Sequence, residues 1–156
     1  MATDIYEVSG LCVDVRYMVM GVLANNVYLV SDGEGTFVVD PSCDAEKILA
    51  ALGDARLGAI VLTHGHFDHT GAAAALRRAT GAPVIASALD APQIENPSGV
   101  DLASRGVPCP VDRIVAQGDI VEVGSMKWKV IDTPGHTPGS LCLFNIPQFG
   151  NHPAGL

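Results

Sequence analysis

Positive charge is scarce in this chain. Nine Lys and Arg stand against seventeen Asp and Glu in 156 residues, a formal net charge of −8 with histidines neutral. A nucleic-acid surface needs clustered cations to displace the counterions of a phosphate backbone, so that class of partner is excluded. Cysteine is sparse too. The four residues, at 12, 43, 109 and 142, contain no C-x-x-C pair, and they read as buried or partly buried free thiols in a reducing cytosol. No apolar run approaches the roughly 20 residues that a membrane span requires. The opening MATDIYEVSG carries acidic residues and lacks the basic and apolar regions of a secretory signal. The expectation is a soluble cytoplasmic protein with no membrane partner. One further absence is local: beyond Asp132 there is no Asp or Glu at all.

What is present is an apolar share of 48% with only 17% charged residues, which favours a globular fold over disorder. The length suits one domain with a sizeable core. Within it, residues 63–71 read THGHFDHTG and crowd His64, His66, Asp68 and His69 into six positions. Imidazole nitrogen with carboxylate oxygen suits zinc or iron better than calcium or magnesium. The apolar run 57–62 upstream predicts a buried strand. Downstream, Ala72, Ala75, Leu76 and Ala79 recur at helical spacing, with Thr70 as the expected helix cap. The four side chains thus fall on a strand-to-helix loop. His64 and His66, two apart on an extended backbone, point to one side and can share an ion. Asp68 and His69 follow the turn and separate toward a second.

Strands are expected over 5–8, 11–19, 27–31 and 36–40, the last pair joined by Asp32-Gly33-Glu34-Gly35, with Pro41 ending the ladder. Asp44 can cap a helix reaching Leu52, with Ala45, Ile48, Leu49 and Leu52 inward and Gly53 as its stop. A short strand over 83–87 completes a strand-helix-strand alternation and an α/β class. Four prolines between 88 and 113 predict a long loop with a helical turn, placed to face a substrate or simply to connect. Gly124-Ser125 should turn a hairpin whose second strand sends Met126, Trp128 and Val130 to one side and Lys127 and Lys129 to the other. Trp128 and Cys142 read as core. After that strand comes DTPGHTPGS, residues 132–140, in which two prolines and two glycines hold His136 at a strand end. It is a candidate third ligand for the first ion. Asp132 is either a partner orienting a ligand or a strand-end hydrogen-bonding group.

THGHFDHTG resembles the H-x-H-x-D-H motif of the metallo-β-lactamase-fold hydrolase superfamily. With NVYLVSDGEGTFVVDP (26–41) and DTPGHTPGS in the same order, the chain is similar to its glyoxalase II-like (hydroxyacylglutathione hydrolase-like) branch over about residues 8–145. The resemblance implies an αββα sandwich, of which this chain carries the first half and the start of the second: an incomplete domain over 1–145 and a tail over 146–156. It implies one or two zinc ions, with iron or manganese as alternatives: His64, His66 and His136 on the first, Asp68 and His69 on the second. Asp68 would also be catalytic, orienting the attacking water. The implied activity is hydrolysis of a small ester or thioester by metal-activated water attacking a carbonyl. The acidic surface weighs against the RNA-processing branch. Family members carry a bridging aspartate beyond the G-H-T-P-G-S segment, then a second strand-rich half and a final histidine. The absence of acid after Asp132 leaves this chain without that aspartate, and His152 in the Gly/Pro-rich tail is expected to be no ligand. Two expectations follow: weak second-metal binding with reduced activity, and a homo-oligomer covering the open half of the fold. The alternative is a catalytically impaired zinc-binding half-domain that acts in assembly. A persulfide dioxygenase-like iron enzyme uses the same missing aspartate and gains nothing.

Overall fold

The computed structural model describes residues 4–97 and 106–147; residues 148–156 of the expected tail, with His152, and the middle of the proline-rich segment lie outside them. Four strands open the chain as an antiparallel meander: β1 (Ile5–Val8), β2 (Asp14–Met20), β3 (Asn25–Ser31) and β4 (Thr36–Val39). The direction then changes. Helix α1 (Ala45–Leu52) carries the chain back, so β5 (Leu57–Val61) pairs parallel to β4, and β6 (Val84–Ser87) and β7 (Arg113–Val115) follow in parallel. The result is a seven-stranded sheet in the order β1 to β7. A second sheet, β10-β9-β8, comprises β8 (Ile120–Val123), β9 (Met126–Asp132) and β10 (Leu141–Asn145). Among the described residues no helix is long and apolar enough to cross a membrane.

Two cores follow from the alternation of side chains. On one face of the large sheet, Met18, Leu29, Val38 and Ile60 pack with Ile48 of α1 and Leu76. On the other, Phe37, Val39 and Val61 meet Trp128, Val130 and Leu143 of the small sheet. All four residues of β4 are therefore buried, as a central strand covered on both faces should be. Asp44 caps α1 by accepting from the Lys47 N–H, and Gly53 ends it at φ 58°. The hairpin at Gly124-Ser125 forms, with Met126, Trp128 and Val130 inward.

The structure corrects several expectations. There is no single helix over 71–80 capped by Thr70. Residues Phe67–Thr70 form a short helix α2 with Thr70 buried inside it, and α3 (Ala73–Thr80) begins after Ala72. The inward face of α3 is Ala73, Ala74 and Leu76, while Ala79 is exposed. The helical turn expected in the proline-rich segment is present, as the short helix α4 (Ala91–Glu95). Cys142 is exposed rather than core, because Leu141 and Leu143 take the inward positions of β10.

Among the described residues part of one face stays uncovered. Tyr6, Tyr17 and Tyr28 are cross-strand partners and stack at 5.1 and 6.0 Å, sharing a face with Val15 and Val30 of the inter-sheet core. Beyond the small sheet that face is open: Tyr6 is 45%, Val8 39% and Val19 43% exposed. Among the described residues β10 pairs only with β9, which leaves its other edge without a strand partner.

Candidate metal centre

The strand ends bring the histidines together. Buried β5 stops at Val61 and delivers Thr63, His64 and His66; β9 and β10 deliver the 133–140 loop with His136. The loops are stitched by the Leu141 N–H, which donates to the Thr63 carbonyl at 2.9 Å. One donor nitrogen from each of His64, His66 and His136 lies within 4.8 Å of the others. The nearest pair is His66 Nδ1 and His136 Nε2 at 3.0 Å. The sequence-predicted first trio thus converges. Asp68 and His69 sit in α2 rather than in a loop, with Asp68 Oδ2 at 3.3 Å from His69 Nε2. Asn25 donates to both the carbonyl and the carboxylate of Asp68, at 2.8 and 3.2 Å, and so fixes its direction.

A residue that sequence reasoning missed sets the tautomers. Asp40, read only as a strand end, is 6% exposed and holds a left-handed backbone at φ 51°. Its Oδ1 accepts from the Thr63 N–H at 2.8 Å, and its Oδ2 accepts from the Thr63 hydroxyl. Oδ2 also lies 3.0 Å from His69 Nδ1. With its proton given to Asp40, Thr63 Oγ1 can only accept from His64 Nδ1, 3.0 Å away. The His64 lone pair then resides on Nε2, which is buried and, among the described residues, has no hydrogen-bond partner. By the same logic His69 donates through Nδ1 and turns its Nε2 lone pair toward the Asp68 carboxylate. Two further donors of an ion site, His69 Nε2 and Asp68 Oδ2, are therefore aimed at one another without a proton between them. Asp40 itself also falls within 4.8 Å of His64 and His69 donor atoms. Because both its oxygens are already engaged, we read it as the carboxylate that orients His69, the usual partner of a metal-bound imidazole.

The electrostatics agree. Burial, joined by repulsion from His69, His66 and His136, pushes His64 down to about 4 against the opposing pull of Asp40, so the ring is neutral in neutral solution. Burial also disfavours the His69 cation, but the hydrogen bond that His69 donates to Asp40 and the charges of Asp40 and Asp68 outweigh it and raise His69 above its ordinary value. A proton on His69 is one way to separate Nε2 from the Asp68 carboxylate; a cation is the other. The orphaned His64 Nε2 and this acceptor pair fit a borderline ion bound by nitrogen and oxygen, as zinc is. Asp132, by contrast, has an exposed side chain, and its backbone N–H donates to Gln117 Oε1 at 2.7 Å. It serves the strand end.

Beside Asp68 opens a cavity of about 430 Å³ whose walls include Val22, Leu23, Cys43, Phe67 and Val107. Val22 is 99% exposed at the β2–β3 turn, so the rim is apolar as well. Among the described residues Asp44 and Asp68 are the charged lining groups, and no Lys or Arg is among them.

Known proteins share this arrangement of sequence and fold. The sequence profile of the metallo-beta-lactamase superfamily matches residues 20–145. A protein of Aquifex aeolicus, described only as uncharacterized, is 36% identical over 135 residues, which are 83% of this chain and 64% of that one. A hydroxyacylglutathione hydrolase of Cereibacter sphaeroides is 39% identical over 121 residues, 75% of this chain and 42% of the relative. Among solved structures, the subclass B3 metallo-beta-lactamase BJP-1 of Bradyrhizobium japonicum superposes with a TM-score of 0.77 at 27% identity, over 94% of this chain and 59% of that one. The chain thus spans between 42% and 64% of the length of these two curated relatives. A family match over residues 20–145, a shared fold and the converging histidines lead to one conclusion: the chain belongs to the metallo-beta-lactamase superfamily.

Proposed function

We propose that this chain is the metal-binding part of a zinc-dependent hydrolase acting on small thioesters or esters. The observation that carries the reading is the buried, unpartnered Nε2 of His64 beside His66 and His136. His64, His66 and His136 would hold the first ion, and Asp68 with His69 the second. A zinc ion there would supply Lewis acidity, lowering the pKa of a water toward ~7 and steadying charge that develops on a carbonyl oxygen. The chain's own groups do the positioning. Asp40 fixes His69 and, through Thr63, the tautomer of His64. Asp68, held by Asn25, stands where an attacking water could be oriented and its proton accepted. The largely apolar cavity beside Asp68 suits an acyl group. The name of the Cereibacter relative supports a thioester substrate.

Elemental mass spectrometry on protein of known oligomeric state, paired with zinc-supplemented assays of thioester, lactone and β-lactam hydrolysis, tests this. The expected result is at least one zinc per chain and turnover of a thioester that chelator abolishes. Absence of both metal and turnover after zinc is offered would sink the reading.

A second reading, a zinc-binding half-domain that works in assembly, is favoured by the tyrosine ladder and the free β10 edge. On it a second copy covers the exposed face, since unpaired strand edges and open apolar faces drive association. Light scattering is then expected to give a dimer or larger species at micromolar concentration, and Val19→Lys to shift it toward monomer. A wild-type monomer rules out the self-assembly version.

A further inference from the structure

Asp90 precedes α4 at the position from which an aspartate normally caps its own helix, yet its side chain makes no such bond. It turns inward instead. The carboxylate, in a residue 5% exposed, accepts three hydrogen bonds: from the Gly65 N–H at 2.8 Å, the Thr137 hydroxyl at 2.7 Å and the Gly139 N–H at 2.9 Å. Gly65 lies between His64 and His66, and Thr137 follows His136. One side chain therefore ties together the two loops that carry the first trio.

The local sequence makes room for it. A Cβ on Gly139 would stand 2.2 Å from Ser87 Oγ and 2.5 Å from Asp90 Oδ1, and one on Gly65 would press on the Asp90 carbonyl at 3.2 Å. Among the described residues Asp90 forms no ion pair with Lys, Arg or His. A buried carboxylate without a cation is costly unless its hydrogen bonds and a nearby positive charge compensate. The loops it joins present three imidazoles but no permanent charge.

We propose that Asp90 is a positioning residue for the first metal ion. It clamps the His64–His66 loop to the His136 loop, sets the spacing of the three nitrogens, and supplies the buried negative charge that a divalent ion there would balance. The proposal rests on reading the trio as a metal site. It adds that affinity depends on a carboxylate that ligates nothing.

The test titrates cobalt(II) into the full-length apo-protein against a competing chelator, following the visible ligand-field bands, with apo-protein melting as a control for folding. For Asp90→Ala we expect first-ion affinity to fall about 10–100-fold, the range for groups that orient ligands, with displaced bands. Thr137→Val, which removes one hydrogen bond and no charge, should give a smaller loss in the same direction. If Asp90→Ala does not fold, Asp90→Asn and Thr137→Val carry the test. Folded variants that bind cobalt with wild-type affinity and bands, whatever their melting temperatures, would overturn the clamp alone. A wild-type protein that takes up no cobalt would overturn the metal reading and the clamp with it.

Discussion

His66→Ala should abolish metal-dependent turnover while leaving the protein folded. His66 is only partly buried, stands at the start of α2 without a side-chain capping bond, and belongs to neither apolar core. Removing such a side chain changes stability by roughly half a kcal/mol at most. Its removal takes a nitrogen from a three-nitrogen site, a larger insult than loss of an orienting partner, which costs about 10–100-fold. We therefore expect kcat/KM for a thioester to fall by more than about a hundredfold at saturating zinc, with far-UV circular dichroism and the Tm of the apo-protein unchanged. His64→Ala is a poorer probe. His64 is 8% exposed and hydrogen-bonded to Thr63, so its loss would mix unfolding with metal loss. A His66→Ala variant with near-wild-type kcat/KM would remove the first trio from the mechanism.

How much of this was legible before the structure depends on whether the signal is local. The spacing of His64, His66, Asp68 and His69 lies within one short stretch and reads directly as a ligand cluster. The strand alternation around Trp128 and the Asp44 and Gly53 boundaries of α1 are local too, and they hold. Asp40 and Asp90 were invisible because their roles exist only across the fold. Asp40 acts on partners 23 and 29 positions away. Asp90 acts across 25 to 49 positions. For Asp40 a hint was available, since an acid closing an apolar strand at the edge of a candidate site must be held by something. For Asp90 there was none: its place before α4 suggests a capping role that it does not take. The Cys142 error was avoidable, because strict alternation through Leu141 and Leu143 already sends it outward. The break between α2 and α3 was not, since the run of alanines carries little directional signal and tertiary packing decides where the helix restarts.

The largest expected loss of stability comes from Trp128→Ala. The indole is fully buried between the two sheets and meets Phe37 edge-on, centroids 5.5 Å apart at 76°. Truncating a buried aromatic costs about 3–5 kcal/mol, a large share of the roughly 5–15 kcal/mol that holds a typical domain. Nothing polar offsets the loss, for among the described residues Trp128 Nε1 finds no hydrogen-bond partner. The indole is held by packing alone. Trp128→Phe should accordingly be much milder, because it keeps a ring against Phe37 and removes a buried unpaired N–H that itself costs about 1–3 kcal/mol. Urea unfolding followed by far-UV circular dichroism measures both; fluorescence would not serve, since Trp128 is the only tryptophan. A loss under about 1 kcal/mol for Trp128→Ala would show that the inter-sheet core does not hold the small sheet in place. That outcome would reach the site. The small sheet is what carries the His136 loop, so a sheet free to shift could not keep His136 Nε2 at 3.0 Å from His66 Nδ1. Stability of the inter-sheet core and geometry of the three-histidine site should therefore fail together: Trp128→Ala is expected to weaken metal binding well before the protein unfolds.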